Sequence, residues 1–434
     1  MEGSPFALSQ NGRHAEPRTQ HALSPHGFAV TKEAQRPDLL ARMAVQTAER
    51  ERANLLRRLR TVDRAEGPWL DVGNGRLLSF CGNDYLGLAQ HPQLVAALTR
   101  AAREQGVGST SAHLICGHRS EHAELEEALA AWTGRERALL FSTGYMANLG
   151  VLQALLTRGD LCVQDKLNHA CLLDGARLGG AELKRYPHAD VAAAARQLAS
   201  RAGAAALLAT DGVFSMDGDV APLRELAALC EQQRATLMVD DAHGLGVFGP
   251  GGAGSVGEAG LGQHEVPVLM ATLGKALGCM GAFVAGPAAL IEGLIQFARP
   301  YIYTTAMPPA LAAAAQEAVR LAQADAWRRE KLFALIARFR RGAAELGLPL
   351  AASGSAIQPL LLGSAMATLT AAQALERQGL LVGAIRPPTV PSGQARLRIT
   401  LSAAHEESHV DRLLDALETL HLPSAPRAAA SDPV

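Results

Sequence analysis

From about Phe80 onward, short apolar runs alternate with amphipathic stretches. ALLF (138–141), AALLAT (205–210), TLMVDD (236–241) and VPVLMATLG (266–274) are separated by segments such as HAELEEALAAW (122–132) and DVAAAARQLASR (190–201). Runs that are apolar throughout suit strands buried on both faces, and the helical stretches between them supply the crossovers that parallel strands require. The pattern predicts an α/β fold with a mostly parallel sheet covered on both sides. After Pro308-Pro309 the alternation stops. Helical stretches over 309–324 and 325–346, AIQPLLLG (356–363), a helix over 370–379, RLRITL (396–401) and a last helix over 404–420 predict a smaller α+β C-terminal domain. The expected organisation is a flexible extension over 1–40, a helical and strand arm over 41–84 opening with a helix from Ala41 to Arg60, a large α/β domain over 85–308, the small domain over 309–421, and a tail over 422–434.

The 434 residues are 48% hydrophobic, enough for a sizeable core. Formal net charge is -1, so the basic surplus that a nucleic-acid or anionic-membrane partner calls for is missing, and neither partner is expected. No apolar run approaches the ~20 residues of a membrane span, and the first residues lack a signal-peptide core. Six cysteines are scattered without a CxxC pair, which reads as free thiols in a cytoplasmic protein; no metal site is expected. There are five lysines, so chemistry that needs an amine has few candidates.

Gly244-Leu245-Gly246-Val247-Phe248-Gly249 matches the dinucleotide fingerprint and follows a strand-like run. The fingerprint works only when it opens a helix whose N-terminus holds a pyrophosphate. Here PGGAGSVGEAG follows and cannot start a regular helix, so a glycine-rich loop is expected instead.

Three other segments sit at predicted strand ends, where ligands of open α/β sheets collect. Val239-Asp240-Asp241-Ala242-His243 places two acids and a histidine after a buried strand. Thr272-Leu273-Gly274-Lys275 places one lysine beside glycine, and Ser142-Thr143-Gly144-Tyr145 is a small-residue turn entering a helix that could hold an anion on its backbone amides. A lysine, an acid and an anion cradle on one sheet edge match the needs of pyridoxal phosphate: an amine to bond it, a carboxylate for its ring nitrogen, and donors for its phosphate.

SFCGNDYLGL (79–88), DGVFSMDGDVAPL (211–223), LMVDDAHGLGV (237–247), ATLGKALG (271–278) and AIRPPTVPSGQARLRITLSAAHE (384–406) together resemble the pyridoxal-phosphate-dependent α-oxoamine synthases from about residue 45 to 421. IRPPTVP and SAIQPL (355–360) point to the branch that forms an amino-oxononanoate. GSTSAHLICG (108–117) departs from the family's usual glycine-rich stretch at Thr110 and Cys116.

The resemblance implies a fold-type I transferase using pyridoxal 5'-phosphate. It condenses L-alanine with pimeloyl-CoA or pimeloyl-acyl-carrier protein, with glycine and a different acyl-CoA as the alternative substrates, and it acts as a homodimer. It implies that Lys275 bonds the cofactor, Asp240 faces the ring nitrogen, His243 meets the phenolic oxygen and His169 stacks on the ring. Gly144 and Tyr145 correspond to phosphate-binding amides, and Ser215 and Thr272 to hydroxyl donors. Asn83, Arg57, Arg386 and Thr389 correspond to substrate contacts, with Arg386 on the amino-acid carboxylate. Thr304 or Thr305 would reach the cofactor phosphate of the other subunit.

Overall fold

The computed structural model describes residues 36–420 and 422. Residues 1–35 of the expected extension over 1–40, and the tail beyond 422, lie outside the described residues. The chain divides after Ala53 into two compact units. The first contains α1 (Leu39–Arg52), started by the Asp38 carboxylate, which accepts from the amides of Leu40 (2.8 Å) and Ala41 (3.1 Å). The helix expected from Ala41 to Arg60 therefore ends at Arg52. Arg57 lies in non-helical chain beyond Asn54, whose φ of 58° is the left-handed geometry that does not continue a helix.

The second unit opens with β1 (Arg64–Glu66), β2 (Trp69–Val72) and β3 (Gly75–Ser79), an antiparallel meander. Then come α2 (Pro92–Gln105), α3 (Ser120–Thr133), β4 (Arg137–Phe141), α4 (Gly144–Leu155), β5 (Leu161–Asp165), α5 (Ala170–Gly179), β6 (Glu182–Tyr186), α6 (Val191–Ala199), β7 (Ala206–Asp211), α7 (Leu223–Gln233) and β8 (Thr236–Asp240). After the one-turn α8 (Ser255–Glu258) follow β9 (Val268–Thr272), β10 (Ala282–Gly286), α9 (Ala288–Phe297) and the one-turn α10 (Arg299–Ile302). The C-terminal part contains α11 (Pro309–Ala324), α12 (Ala326–Glu345), β11 (Ile357–Gly363), α13 (Ala365–Arg377), β12 (Leu380–Leu381), β13 (Gly383–Ile385), β14 (Ala395–Thr400) and α14 (Glu407–Glu418). Helix α13 starts earlier than the pattern suggests because the Ser364 hydroxyl caps it, accepting from the Ala367 amide at 3.0 Å.

Seven strands form the main sheet in the order β4-β10-β9-β8-β7-β5-β6, and only β10 runs against its neighbours. Successive side chains point to opposite faces, and both faces are covered. Met238 packs with Val151, Leu152 and Leu172 on one side, and Leu237 and Val239 pack with Leu198, Leu226 and Leu229 on the other. The parallel strands thus bring Phe141, Asp165, Asp211, Asp240 and Thr272 to one carboxyl edge. A separate three-stranded sheet, β11-β14-β13, carries the C-terminal arginines, and β12 joins β3 in parallel.

Candidate active site

At that edge a cavity of about 180 Å³ is lined by Gly144, Tyr145, His169, Asp211, Ser215, Asp240, His243, Thr272 and Lys275, among others. Eight residues expected from sequence or resemblance thus converge from five loops. The exception on this face is Asp211, which the sequence reading did not single out.

The two neighbouring acids are sent to different tasks. Asp240 lies at the cavity floor, where its carboxylate accepts from Asn148 Nδ2 (2.7 Å) and the Ala242 amide (3.0 Å). Asp241 points away and accepts from the Ser255 amide (2.8 Å) and hydroxyl (2.5 Å). Burial lifts the Asp241 carboxyl to about 7, against the bonds from Ser255. That carboxylate explains the false dinucleotide motif. A Cβ on Gly244 would stand 2.0 Å from Asp241 Oδ1, and one on Gly254 would stand 1.9 Å from Oδ2. The glycines let backbone close around an acid, and the chain turns there instead of starting a long helix.

Lys275 is half-buried. Burial lowers its amine from the usual value, and the Asp240 and Asp211 carboxylates oppose that. Its Nζ is 2.9 Å from His243 Nε2, and His243 Nδ1 is 2.6 Å from the Tyr85 hydroxyl, which donates to Asn83 Oδ1 at 3.3 Å. One direction satisfies the whole relay: the amine donates to Nε2, Nδ1–H donates to the phenol, and the phenol donates to the amide oxygen. Burial and the nearby Lys275 charge hold His243 well below the usual imidazole range, so the neutral ring this relay needs is the favoured one. Burial also pushes Tyr85 up to about 12.

Tyr85 and Arg398 were also missed by the sequence reading. Arg398 is buried; its Nε donates to the Ser215 carbonyl (2.7 Å), Nη1 to the Thr400 hydroxyl (2.9 Å) and Nη2 to Asn83 Oδ1 (3.2 Å). Its charge acts on both Lys275 and His243. Arg386 instead donates to the Asn54 carbonyl, and neither arginine is among the residues lining the Lys275 cavity. The difference follows from register: Arg398 faces Gly383 across β13 and β14, where no side chain stands in its way, whereas Arg386 lies just past the paired residues of β13.

A second cavity of about 710 Å³ shares His169 and Ser215 with the first and is lined also by Arg57, Lys166, Arg185 and Thr389. Arg57 Nη2 is 3.4 Å from the Thr389 hydroxyl. Thr304 is not brought into either cavity; it sits in a turn after α10, next to a bridge between Ala112 and Thr305.

Among the described residues one histidine group was overlooked in the sequence. His113, His118 and His122 offer nitrogens within 4.8 Å of one another. His122 is committed on both sides, with Nδ1 accepting from the Arg119 amide (2.9 Å) and Nε2 donating to the Met307 carbonyl (2.8 Å), and His113 and His118 share a bond of 3.0 Å. As it stands the group is a hydrogen-bonded clamp on the chain leading from Thr305 to Met307.

The cavity's donor set fits pyridoxal phosphate. A buried carboxylate with two neutral donors awaits a protonated nitrogen, an amine stands beside it, and the first amides of α4 have no intrahelical acceptors. Residues 76–417 match the family described as aminotransferase class I and II. The 8-amino-7-oxononanoate synthase of Cellvibrio japonicus is 54% identical over 390 residues, covering 90% of this chain and 98% of that one. That of Halorhodospira halophila is 58% identical over 382 residues, covering 87% and 94%.

The chain belongs to the 8-amino-7-oxononanoate synthase family.

The family's fold is shared with solved structures. A serine palmitoyltransferase of Sphingomonas wittichii superposes with a TM-score of 0.85 at 32% identity, covering 88% of this chain and 98% of that one. An 8-amino-7-oxononanoate synthase from Francisella tularensis superposes with a TM-score of 0.70 at 30% identity, covering 79% and 97%. Membership of the family makes pyridoxal phosphate the cofactor, and the fold is the type I α/β architecture expected from the sequence.

Proposed function

We propose that the chain catalyses the decarboxylative condensation of L-alanine with a pimeloyl thioester, carried on coenzyme A or an acyl-carrier protein, to give 8-amino-7-oxononanoate for biotin synthesis. The observation that carries this reading is Lys275 within the same small cavity as Asp240 and His169, in a chain 54% identical to a relative of that activity over nearly its whole length. The bound cofactor supplies an electron sink for the charge left on the amino-acid Cα.

The protein's residues do the rest. Asp240, anchored by Asn148, holds the proton on the ring nitrogen. The amides of Gly144 and Tyr145 hold the phosphate, with Ser215 and Thr272 adding hydroxyls. His169 would cover one face of the cofactor ring and His243 would meet its hydroxyl. Lys275 Nζ takes the proton from alanine Cα and returns one after carbon dioxide leaves. Arg398 is our candidate for the alanine carboxylate in place of the Arg386 that the resemblance implies: it is buried beside Asn83, and its charge reaches Lys275. A planar guanidinium suits this, because its fork would fix the carboxylate in one plane. The acyl thioester enters over His169 and Ser215 through the larger cavity, where Arg57, Lys166 and Arg185 provide positive charge and Thr389 a hydroxyl.

The active form is a cytoplasmic homodimer. Support comes from the exposed apolar side chains of Ile115 (80%) and Tyr303 (72%), which a second copy would cover; in such a dimer Thr304 would contact the other subunit's cofactor phosphate, as the resemblance implies. Among the described residues no helix is long and apolar enough to cross a membrane, and the six cysteines are free.

The test is an acceptor screen of the purified holoenzyme, with each small amino acid paired with each acyl-CoA and free thiol measured. Thiol release with alanine and pimeloyl-CoA is expected. Release with glycine and a short acyl-CoA, and none with alanine, would overturn the reading.

A further inference from the structure

His188 has no counterpart in the reaction described above and lines neither cavity, yet both its ring nitrogens face carboxylates. Nδ1 is 3.1 and 3.2 Å from the two oxygens of Asp165, and Nε2 is 2.7 Å from Asp219 Oδ2. Carboxylates accept and do not donate, so both nitrogens carry protons and the ring is an imidazolium.

We infer that His188 is a positioning residue of the active site, a charged staple that fixes His169 and Ser215 relative to each other. This rests on the functional reading above for the identity of those two residues. Asp165 ends β5, and its carboxylate also accepts from the amides of Leu167 and Ala189, both at 2.8 Å. It thereby shapes the turn that runs into Asn168 and His169. Asn168 continues the brace by donating to the Ala209 carbonyl (2.7 Å) and accepting from the Asp211 amide (3.2 Å), and the His169 amide donates to Asp211 (3.2 Å). Asp219 closes the other turn. Its carbonyl accepts from the Phe214 amide (2.9 Å), with Val213 and Val220 bridged, and Ser215 projects from the enclosed segment into the cavity. The Phe214 ring meets His188 edge-on at 4.4 Å.

The groups around the staple are Asp165, Asp211 and Asp219, with the Tyr186 hydroxyl near Asp165. Without the imidazolium, three acids would share this corner and push the two turns apart. Burial works against the charge, but the bonds from Asp165 and Asp219 outweigh it and lift His188 to about 10.

The experiment compares wild type, His188→Gln, Asp219→Asn and the double variant as holoenzymes. It reads kcat and KM from thiol release, the visible circular dichroism of the bound cofactor, and the melting temperature. His188→Gln should keep full cofactor content while kcat falls on the order of 10–100-fold, as misplaced groups do. KM should change much less, and the cofactor's dichroism should weaken. The double variant should recover part of both, because removing the second charge relieves the acid left unpaired. Wild-type kcat and dichroism in His188→Gln would overturn the inference. So would equal losses in the single and double variants, or failure of both to fold, since either would make His188 a structural residue only. A wild type inactive with alanine and pimeloyl-CoA would sink the functional reading instead, while the dichroism would still report on the staple.

Discussion

The split between Asp240 and Asp241 sets the clearest residue-scale expectations. Asp240→Asn should retain the cofactor and lose at least ~100-fold in kcat, because the amide removes a major electrostatic contribution while keeping the shape. Steady-state kinetics with cofactor content measured in parallel checks this, and full activity would mean that another acid faces the ring. Arg398→Lys should raise the alanine KM by at least ~10-fold, since a point charge cannot replace a planar fork at such a site. Arg386→Lys should change it far less. The acid pair, the lysine and His243 were legible because each lies within a few residues of a strand end, whereas His169 was implied by the family resemblance. The arginine was not legible. Three arginines, Arg386, Arg396 and Arg398, lie in the same motif, and only the pairing of β13 with β14 determines which one faces Ser215 and Asn83. His188 was illegible for a related reason: its partners stand 23 and 31 positions away, and the charge state follows from meeting both.

At the scale of elements, the loop after β8 is shaped by a buried acid rather than by a nucleotide. Gly244→Ala should destabilise the protein by about 1–3 kcal/mol, the usual cost of forcing atoms into filled space. Gly293→Ala lies within α9 with nothing within 4 Å of the added carbon, and it should stabilise by about 0.5–1 kcal/mol. Thermal unfolding of the two variants distinguishes these signs. Strands β4, β7, β8 and β9 were readable because continuous apolar runs alternate with amphipathic stretches, whereas β5, β6 and β10 were not singled out. The end of α1 was not readable, since LLRRLR has helical residue types and nothing in composition announces the left-handed Asn54. The staple adds a pH signature between two turns. His188 titrates higher in the fold than in an unfolded chain, where imidazole lies near 6.5. Its stabilisation is therefore complete below that value and lost as pH rises through about 10. The melting-temperature gap between wild type and His188→Gln should close over that range.

For the whole molecule, the account requires one cofactor on one lysine, within sites that two chains complete. A Lys275→Ala chain mixed and refolded with a Thr304→Ala, Thr305→Ala chain should regain part of the activity that each lacks, because each mixed dimer holds one intact site. No recovery in confirmed mixed dimers would confine each site to a single chain. The central claim, however, rests on Lys275 itself, one of five lysines, within a cavity of about 180 Å³ at the carboxyl edge of the sheet. Borohydride treatment of the holoenzyme followed by peptide mapping tests it most directly. The account predicts that the cofactor becomes fixed to the single peptide containing Lys275; fixation to Lys166 or Lys331 would contradict it.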